Sequence, residues 1–314
     1  MPDQSDTTLD ETFLADVLHG LSQPEKSLPC KYFYDDKGSA LFEQVTRLPE
    51  YYPSRVEHAL LKETAPEIAM ILGANPCIIE YGAGALVKIR TLLNAIAGHA
   101  TYIPIDVSGP FLRQAAAQLN ADYPDCDIRP VEGRFFDADL TLPLPETAEN
   151  TMAFFPGSTL GNFKDDDIVR FLKIARTHVG ARGHFLLGVD INQDADSLVS
   201  AYNDSAGVTA AFNLNLLTRI NRELSANFDL SAFQHEAVWN TDLRQIEMYL
   251  ISLKDQTVHL KKQGFHIAAG ERIHTENSRK FTEARLKSYA FEAGWTLDQT
   301  WTSHCNRMGL FLLT

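Results

Sequence analysis

The sequence predicts an α/β protein built on a mostly parallel sheet, with a second lobe of α+β character inserted into it. Three observations carry this. The run Ile78-Ile79-Glu80-Tyr81-Gly82-Ala83-Gly84 reads as an apolar strand entering a glycine turn. From Val56 to Asn192, strand and helix patterns alternate. Between Ala195 and Lys280 that alternation stops, and it resumes only in the tail.

In chain order, residues 11–21 have helical spacing through Phe13, Leu14, Val17 and Leu18, with Gly20 to end the helix. Residues 39–48 repeat the pattern with Leu41, Phe42 and Val45. The segments Tyr32-Phe33-Tyr34-Asp35-Asp36 and Pro49-Glu50-Tyr51-Tyr52-Pro53 are unusually aromatic for connections, which suits either a plug in the side of a core or a recognition surface. Helices are then expected over 57–72, 88–98, 109–123 and 165–179, and strands over 77–81, 102–106, 128–131, 151–155 and 184–190. The helix at 165–179 carries Ile168, Phe171, Leu172 and Ala175, a stripe at i, i+3, i+4 and i+7. Strands that alternate with helices pair in parallel through right-handed crossovers and hold ligands at their carboxyl ends. Gly82, Asp106, Phe135 and Ser158 fall at such ends. The inserted stretch reads as a helix containing Tyr202, a helix over 214–224, strands around 237–239, 244–253 and 258–260, and the closing segment Ile273-His274-Thr275-Glu276-Asn277-Ser278. The tail offers a helix over 281–294 and two strands, 296–302 and 308–313, that finish the sheet as an antiparallel pair.

The glycine turn points to an adenosine-type cofactor. Glycines allow positive φ and let a ligand approach the backbone closely, and Asp106 at the end of the next strand is placed to grip a ribose. A dinucleotide fingerprint wants a third glycine beneath a pyrophosphate, and that position is Val87. A cofactor without phosphates fits better. Lys88, one residue later, could pair with a small carboxylate, and S-adenosylmethionine has that anatomy: adenine, ribose, sulfonium and a methionine carboxylate.

Composition narrows the function. The 314 residues suffice for one large domain or two ordinary ones, and 45% apolar with 22% charged residues describes a globular chain with ample core. A formal net charge of −13 argues against a nucleic-acid footprint, which needs a basic surface. No run approaches the roughly 18 apolar residues needed to span a bilayer. The polar, acidic start is no secretory signal, so a cytoplasmic protein is expected. Cys30, Cys77, Cys126 and Cys305 lie far apart, and the histidines show no close metal spacing, so no metal site is expected.

Four blocks carry a resemblance to the histidine N-alpha-methyltransferases of ergothioneine biosynthesis. They are Lys31-Tyr32-Phe33-Tyr34-Asp35-Asp36-Lys37-Gly38-Ser39, Arg47-Leu48-Pro49-Glu50-Tyr51-Tyr52-Pro53, Pro156-Gly157-Ser158-Thr159-Leu160-Gly161-Asn162-Phe163, and His274-Thr275-Glu276-Asn277-Ser278. The likeness extends over nearly the whole chain. It implies a class I, Rossmann-like methyltransferase core at 57–192 and 281–314, and a substrate-recognition domain at 8–56 and 193–280. It implies cofactor contacts at Gly82, Gly84, Lys88, Asp106, Arg134 and Phe135. Substrate contacts fall on Asn162 and Tyr202 for the amino-acid carboxylate, on Tyr51, Glu276 and Ser278 for the imidazole, and on Met248 in the pocket wall. Tyr34 matches a tyrosine beside the substrate amine and stands as the catalytic, amine-orienting residue. The activity implied is S-adenosylmethionine-dependent methylation of the α-amino group of L-histidine, to the trimethylated betaine hercynine, by a monomer that needs no metal, membrane or nucleic acid.

Some readings stay open. Taken alone, Glu276 suits a surface ion pair with Arg279 or Lys280, and Asn162 suits a helix cap. Arg134 stands where the family has an aspartate to meet the adenine, and arginine offers only donors. Either Asp137 or a backbone carbonyl takes that part, or Arg134 stacks over the ring. The rivals to the implied activity are the same chemistry on another amino acid, such as a tryptophan derivative, and a non-catalytic cofactor-binding regulator.

Overall fold

A computed structural model describes residues 4–134, 136–137, 139–146 and 150–314, with side chains from Glu11 onward. Phe135 therefore lies outside the described residues. In chain order the elements are α1 (Gln4–Ser22), α2 (Asp36–Val45), α3 (Pro53–Leu72), β1 (Cys77–Tyr81), α4 (Ile89–Ala95), β2 (Ala100–Asp106), α5 (Gly109–Asp122), β3 (Cys126–Ile128), β4 (Val131–Glu132), β5 (Thr151–Phe155), α6 (Asp165–Val179) and β6 (His184–Asp190). There follow α7 (Ala195–Tyr202), α8 (Val208–Leu224), β7 (Phe233–Asn240), β8 (Gln245–Ser252), β9 (Gln256–Leu260), β10 (Gln263–Ile267), β11 (Arg272–Arg279), α9 (Glu283–Glu292), β12 (Leu297–Thr302) and β13 (Met308–Leu313). The chain divides into two compact units, Met1–Tyr52 with Gln193–Arg279, and Pro53–Asn192 with Lys280–Thr314.

In the second unit the strands run in the order β12-β13-β6-β5-β1-β2-β3, with β4 also pairing β2. The pairs among β6, β5, β1, β2 and β3 are parallel, and β13 is antiparallel to both β6 and β12. The sheet is apolar on both faces because both are covered. Alternate residues of β1 separate the two cores: Cys77, Ile79 and Tyr81 join Phe155, Phe171 and Trp295 on one side, while Ile78 joins Leu61, Leu92 and Leu112 on the other. Glu80 lies on β1 between Ile79 and Tyr81, only 3% exposed.

Pro130 explains one departure from expectation. A single strand over 128–131 becomes two short pieces, β3 and β4, because proline has no N–H to give to the ladder. The helix expected over 88–98 is shorter, Ile89–Ala95, and a glycine at φ +88°, Gly98, follows it.

The first unit is α+β. Strands β11-β8-β7 form an antiparallel sheet, and β9 pairs with β10 as a separate hairpin. Along β8 the even residues Ile246, Met248, Leu250 and Ser252 are buried, the period-two burial of a sheet covered on one face. Helix α8 packs against α2 and against β7 and β8. Its entry is fixed by Asp204, whose carboxylate accepts from the N–H of Val208 at 2.8 Å and of Thr209 at 2.7 Å. Strand β10, Gln263–Ile267, is an addition to the strands expected around 237–239, 244–253 and 258–260. It pairs through the alternation of Phe265 and Ile267, both buried.

Candidate active site

The carboxyl ends of β1, β2, β5 and β6 hold the polar groups of the second unit. After β1, the N–H groups of Gly82 and Ala83 donate to the Ile105 carbonyl at 2.9 and 3.1 Å, which ties the turn to β2. Gly82 and Gly84 have φ of +64° and +52°, conformations that a side chain disfavours. A Cβ added to Gly84 would meet nothing within 4 Å, so the turn borders open space. Asp106 braces it: one carboxylate oxygen accepts from Gly84 N–H at 3.0 Å and the other from Ser108 N–H at 3.0 Å. An ionised carboxylate has about four acceptor positions, so each oxygen retains one for a ligand hydroxyl.

Lys88 is held by a residue that spacing did not single out. Its ammonium pairs with Glu57, whose side chain is 1% exposed against 23% for Lys88. The other Glu57 oxygen accepts from the Gly157 N–H at 2.6 Å, just beyond β5. The one signal in the sequence was the helical stripe itself: Glu57 shares the buried face of α3 with Leu60, Leu61, Thr64 and Ile68, a charge where an apolar side chain is expected. Glu80 is a second missed group. Its carboxylate accepts from the Tyr102 hydroxyl at 2.5 Å, and burial pushes its pKa up to about 7, against the smaller opposing effects of that hydrogen bond and of Lys88.

These groups fit a nucleoside cofactor that brings positive rather than phosphate charge. The cradle has room above Gly84, a carboxylate for hydroxyls, and an ammonium already paired with a carboxylate. Arg134 is exposed, and its guanidinium makes no hydrogen bond or ion pair among the described residues. Its backbone carbonyl accepts from the Asp137 N–H at 3.0 Å. Asn162 ends the 3-10 turn Thr159–Asn162 and is half-buried. That turn begins at Ser158, held at φ +58°, whose hydroxyl accepts from the Asp190 N–H at 2.9 Å.

In the first unit the structure gathers Tyr51, Tyr202, Met248, Glu276 and Ser278. Glu276 lies directly across from Met248, and Ser278 from Ile246. A bulge decides this. The register of β11 on β8 shifts between His274 and Glu276, so Thr275 is the extra residue and Glu276 turns onto the Met248 face. Thr275 secures the bulge by donating to the Met248 carbonyl at 3.1 Å. The hydroxyls of Tyr202 and Ser278 lie 2.7 Å apart in a hydrogen bond, and the Tyr202 carbonyl meets His235 Nε2 at 2.8 Å. The rings of Tyr51 and Tyr202 meet edge to face with centroids 5.8 Å apart.

Tyr34 joins the same surroundings through Phe42, at a centroid distance of 5.5 Å, and through Phe212, at 5.7 Å. Burial, and after it the negative charge of Glu276, raises its phenol well above the ordinary value. The residue keeps 45% of its surface accessible, so burial acts on it less fully than on a core tyrosine, and the direction is what matters. Tyr34 stays protonated and neutral. In the second unit Lys280 pairs with Asp190 at 3.0 Å, both side chains fully buried.

Comparisons with known proteins place nearly the whole chain in a family. A family model described as "Histidine-specific methyltransferase, SAM-dependent" matches residues 13–314. The histidine N-alpha-methyltransferase of Mycolicibacterium smegmatis is 40% identical over 307 residues, 96% of this chain and 94% of that protein. The enzyme of the same name from Mycobacterium tuberculosis is 38% identical over 95% of this chain and 93% of its own length. The ergothioneine biosynthesis protein 1 of Neurospora crassa is 30% identical over 92% of this chain, which spans 33% of that longer protein.

Proposed function

Because the chain belongs to the histidine-specific, S-adenosylmethionine-dependent methyltransferase family, we propose that it methylates the α-amino nitrogen of free L-histidine three times, to hercynine. It is an enzyme that uses S-adenosylmethionine to methylate histidine. What the proposal adds is the methyl count and the part played by each residue. The observation that carries it is the pairing of Glu276 with Met248 across one sheet face, with the Ser278 and Tyr202 hydroxyls 2.7 Å apart beside it.

The bound cofactor supplies an electrophilic methyl on a sulfonium, whose bonding pair stays on sulfur when the methyl moves to nitrogen. This chain's own work is binding, orientation and exclusion of the wrong protonation state. Gly82, Gly84 and Asp106 hold the nucleoside, and Lys88 meets the methionine carboxylate. Glu276 and Ser278 accept from and donate to the imidazole, Met248 and Tyr51 wall it, and Tyr202 and Asn162 are assigned to the amino-acid carboxylate. A charge-assisted hydrogen bond from an imidazole nitrogen to Glu276 contributes on the order of 1.5–3 kcal/mol, and an indole or an aliphatic side chain leaves the carboxylate less well paired. That is the reason to favour histidine over a tryptophan derivative. Tyr34 cannot act as a resting base, because its phenol is raised rather than lowered. It orients the amine, whose proton leaves to water before each transfer. Alignment of this kind supplies about 7–11 kcal/mol of a barrier.

Mass spectrometry of the protein with S-adenosylmethionine and an equimolar mixture of amino acids tests the reading. The expected result is a gain of three methyl groups on histidine alone. Methylation of another amino acid in preference, or none on histidine, overturns it.

A further inference from the structure

Glu57 is costly to keep where it is. A carboxylate that is 1% exposed loses nearly all its hydration, and replacing a buried ion pair by apolar groups is often neutral or stabilising. Yet the fold makes room for it. Its two oxygens bridge the Lys88 ammonium and the Gly157 N–H, and a Cβ on Gly188 of β6 would overlap one of those oxygens. A Cβ on Gly157 itself, at φ +91°, would stand 3.1 Å from Lys88 Nζ. Stability does not explain such a site, and its place at the strand ends does.

Glu57 places one negative charge beside Lys88, in a cluster of strand ends that also holds the Asp106 and Glu80 carboxyls and, on the cofactor assignment, the Arg134 guanidinium. S-adenosylmethionine carries a sulfonium, an ammonium and a carboxylate, one net positive charge. Its demethylated product, S-adenosylhomocysteine, has lost the sulfonium charge and is neutral. We infer that Glu57 is a positioning residue that fixes Lys88 and adds negative potential at this end of the sheet, so that it raises the affinity of the second unit for the cationic cofactor relative to its neutral product. The inference rests on the cofactor assignment in the proposed function and deepens it. Three rounds of transfer to one amino acid require spent cofactor to leave three times, and selectivity against it serves that need.

The test is calorimetric titration of S-adenosylmethionine and S-adenosylhomocysteine into wild type, Glu57→Gln and Lys88→Met, at low and high salt. A merely structural role for Glu57 weakens both ligands together. Charge setting changes their ratio: in Glu57→Gln the affinity for S-adenosylmethionine relative to S-adenosylhomocysteine falls about tenfold at low salt and less at high salt. Lys88→Met, which removes the positive charge, moves the ratio the opposite way while weakening both ligands. An unchanged ratio in Glu57→Gln, or a Lys88→Met shift of the same sign, overturns the inference; should Glu57→Gln fail to fold, the sign for Lys88→Met decides it. Wild type that binds neither ligand brings down the functional reading as well. Wild type that binds both, shows the ratio change in the variants and leaves histidine unmethylated brings down the functional reading alone.

Discussion

Glu80 makes the stability of the second unit depend on pH in a calculable way. The carboxyl is buried on β1, accepts from Tyr102, and has its pKa pushed up to about 7 from an unfolded value of 4.5. Burial dominates. Lys88 opposes it through space, while Glu57 and Asp106 add to it. Because the folded value lies above the unfolded one, the native state holds the extra proton between the two. The group's stabilising contribution is whole below the unfolded value and is lost as pH rises through the folded one. At about 1.36 kcal/mol per unit, the shift corresponds to roughly 3 kcal/mol, of which about 2.5 kcal/mol falls between about pH 5 and about pH 8. Glu80→Gln keeps an acceptor for Tyr102 and removes the titration. Protection factors of the β1 and β2 amides, from hydrogen exchange across that range, should fall steeply with pH in wild type and stay nearly level in the variant. The difference amounts to roughly 70-fold in the local opening constant. Parallel pH profiles for the two proteins would refute the assignment of the titration to Glu80.

Three further outcomes are expected. Glu276→Ala should lower kcat/KM for histidine by ten- to a hundredfold, on the order of the charge-assisted hydrogen bond it removes, with cofactor affinity unchanged by calorimetry. Lys280→Met should destabilise the protein by about 3–5 kcal/mol in urea titration, because it leaves the Asp190 carboxylate buried beside an apolar chain, and adding Asp190→Leu should recover part of that loss. Gly188→Ala should displace the Glu57 carboxylate through overlap with the new methyl, so its calorimetric ratio of cofactor to product affinity should follow that of Glu57→Gln rather than that of wild type.

Much of the sheet was legible because its signals are local. The apolar run before Gly82, the aspartate closing the next strand and the stripe on α6 each sit within one element, and each lies where the pattern put it. The break at Pro130 was equally local and was misread only by joining the strands on either side of it. The partners of Lys88 were not local. Glu57 is 31 residues away, and the Gly157 N–H that shares its carboxylate is 100 residues from it, so no window along the chain contains the cluster. The substrate residues were reached through resemblance rather than periodicity, and the reason lies in β11. Strict alternation would put Thr275, not Glu276, across from Met248, and only the bulge reverses that. A one-residue insertion into a ladder leaves no trace in composition or period. Phe135, expected at the adenine, falls outside the described residues.

The place of β13 has a consequence for how the chain is made. This strand, wholly buried, runs between β6 and β12, so the sheet of the second unit lacks its last two strands until residues 308–313 are free to enter it. During synthesis, residues 193–279 emerge from the ribosome before that can happen. The first unit therefore has all its segments available while its neighbour still exposes the outer edge of β6, a template for pairing with other chains until β13 covers it.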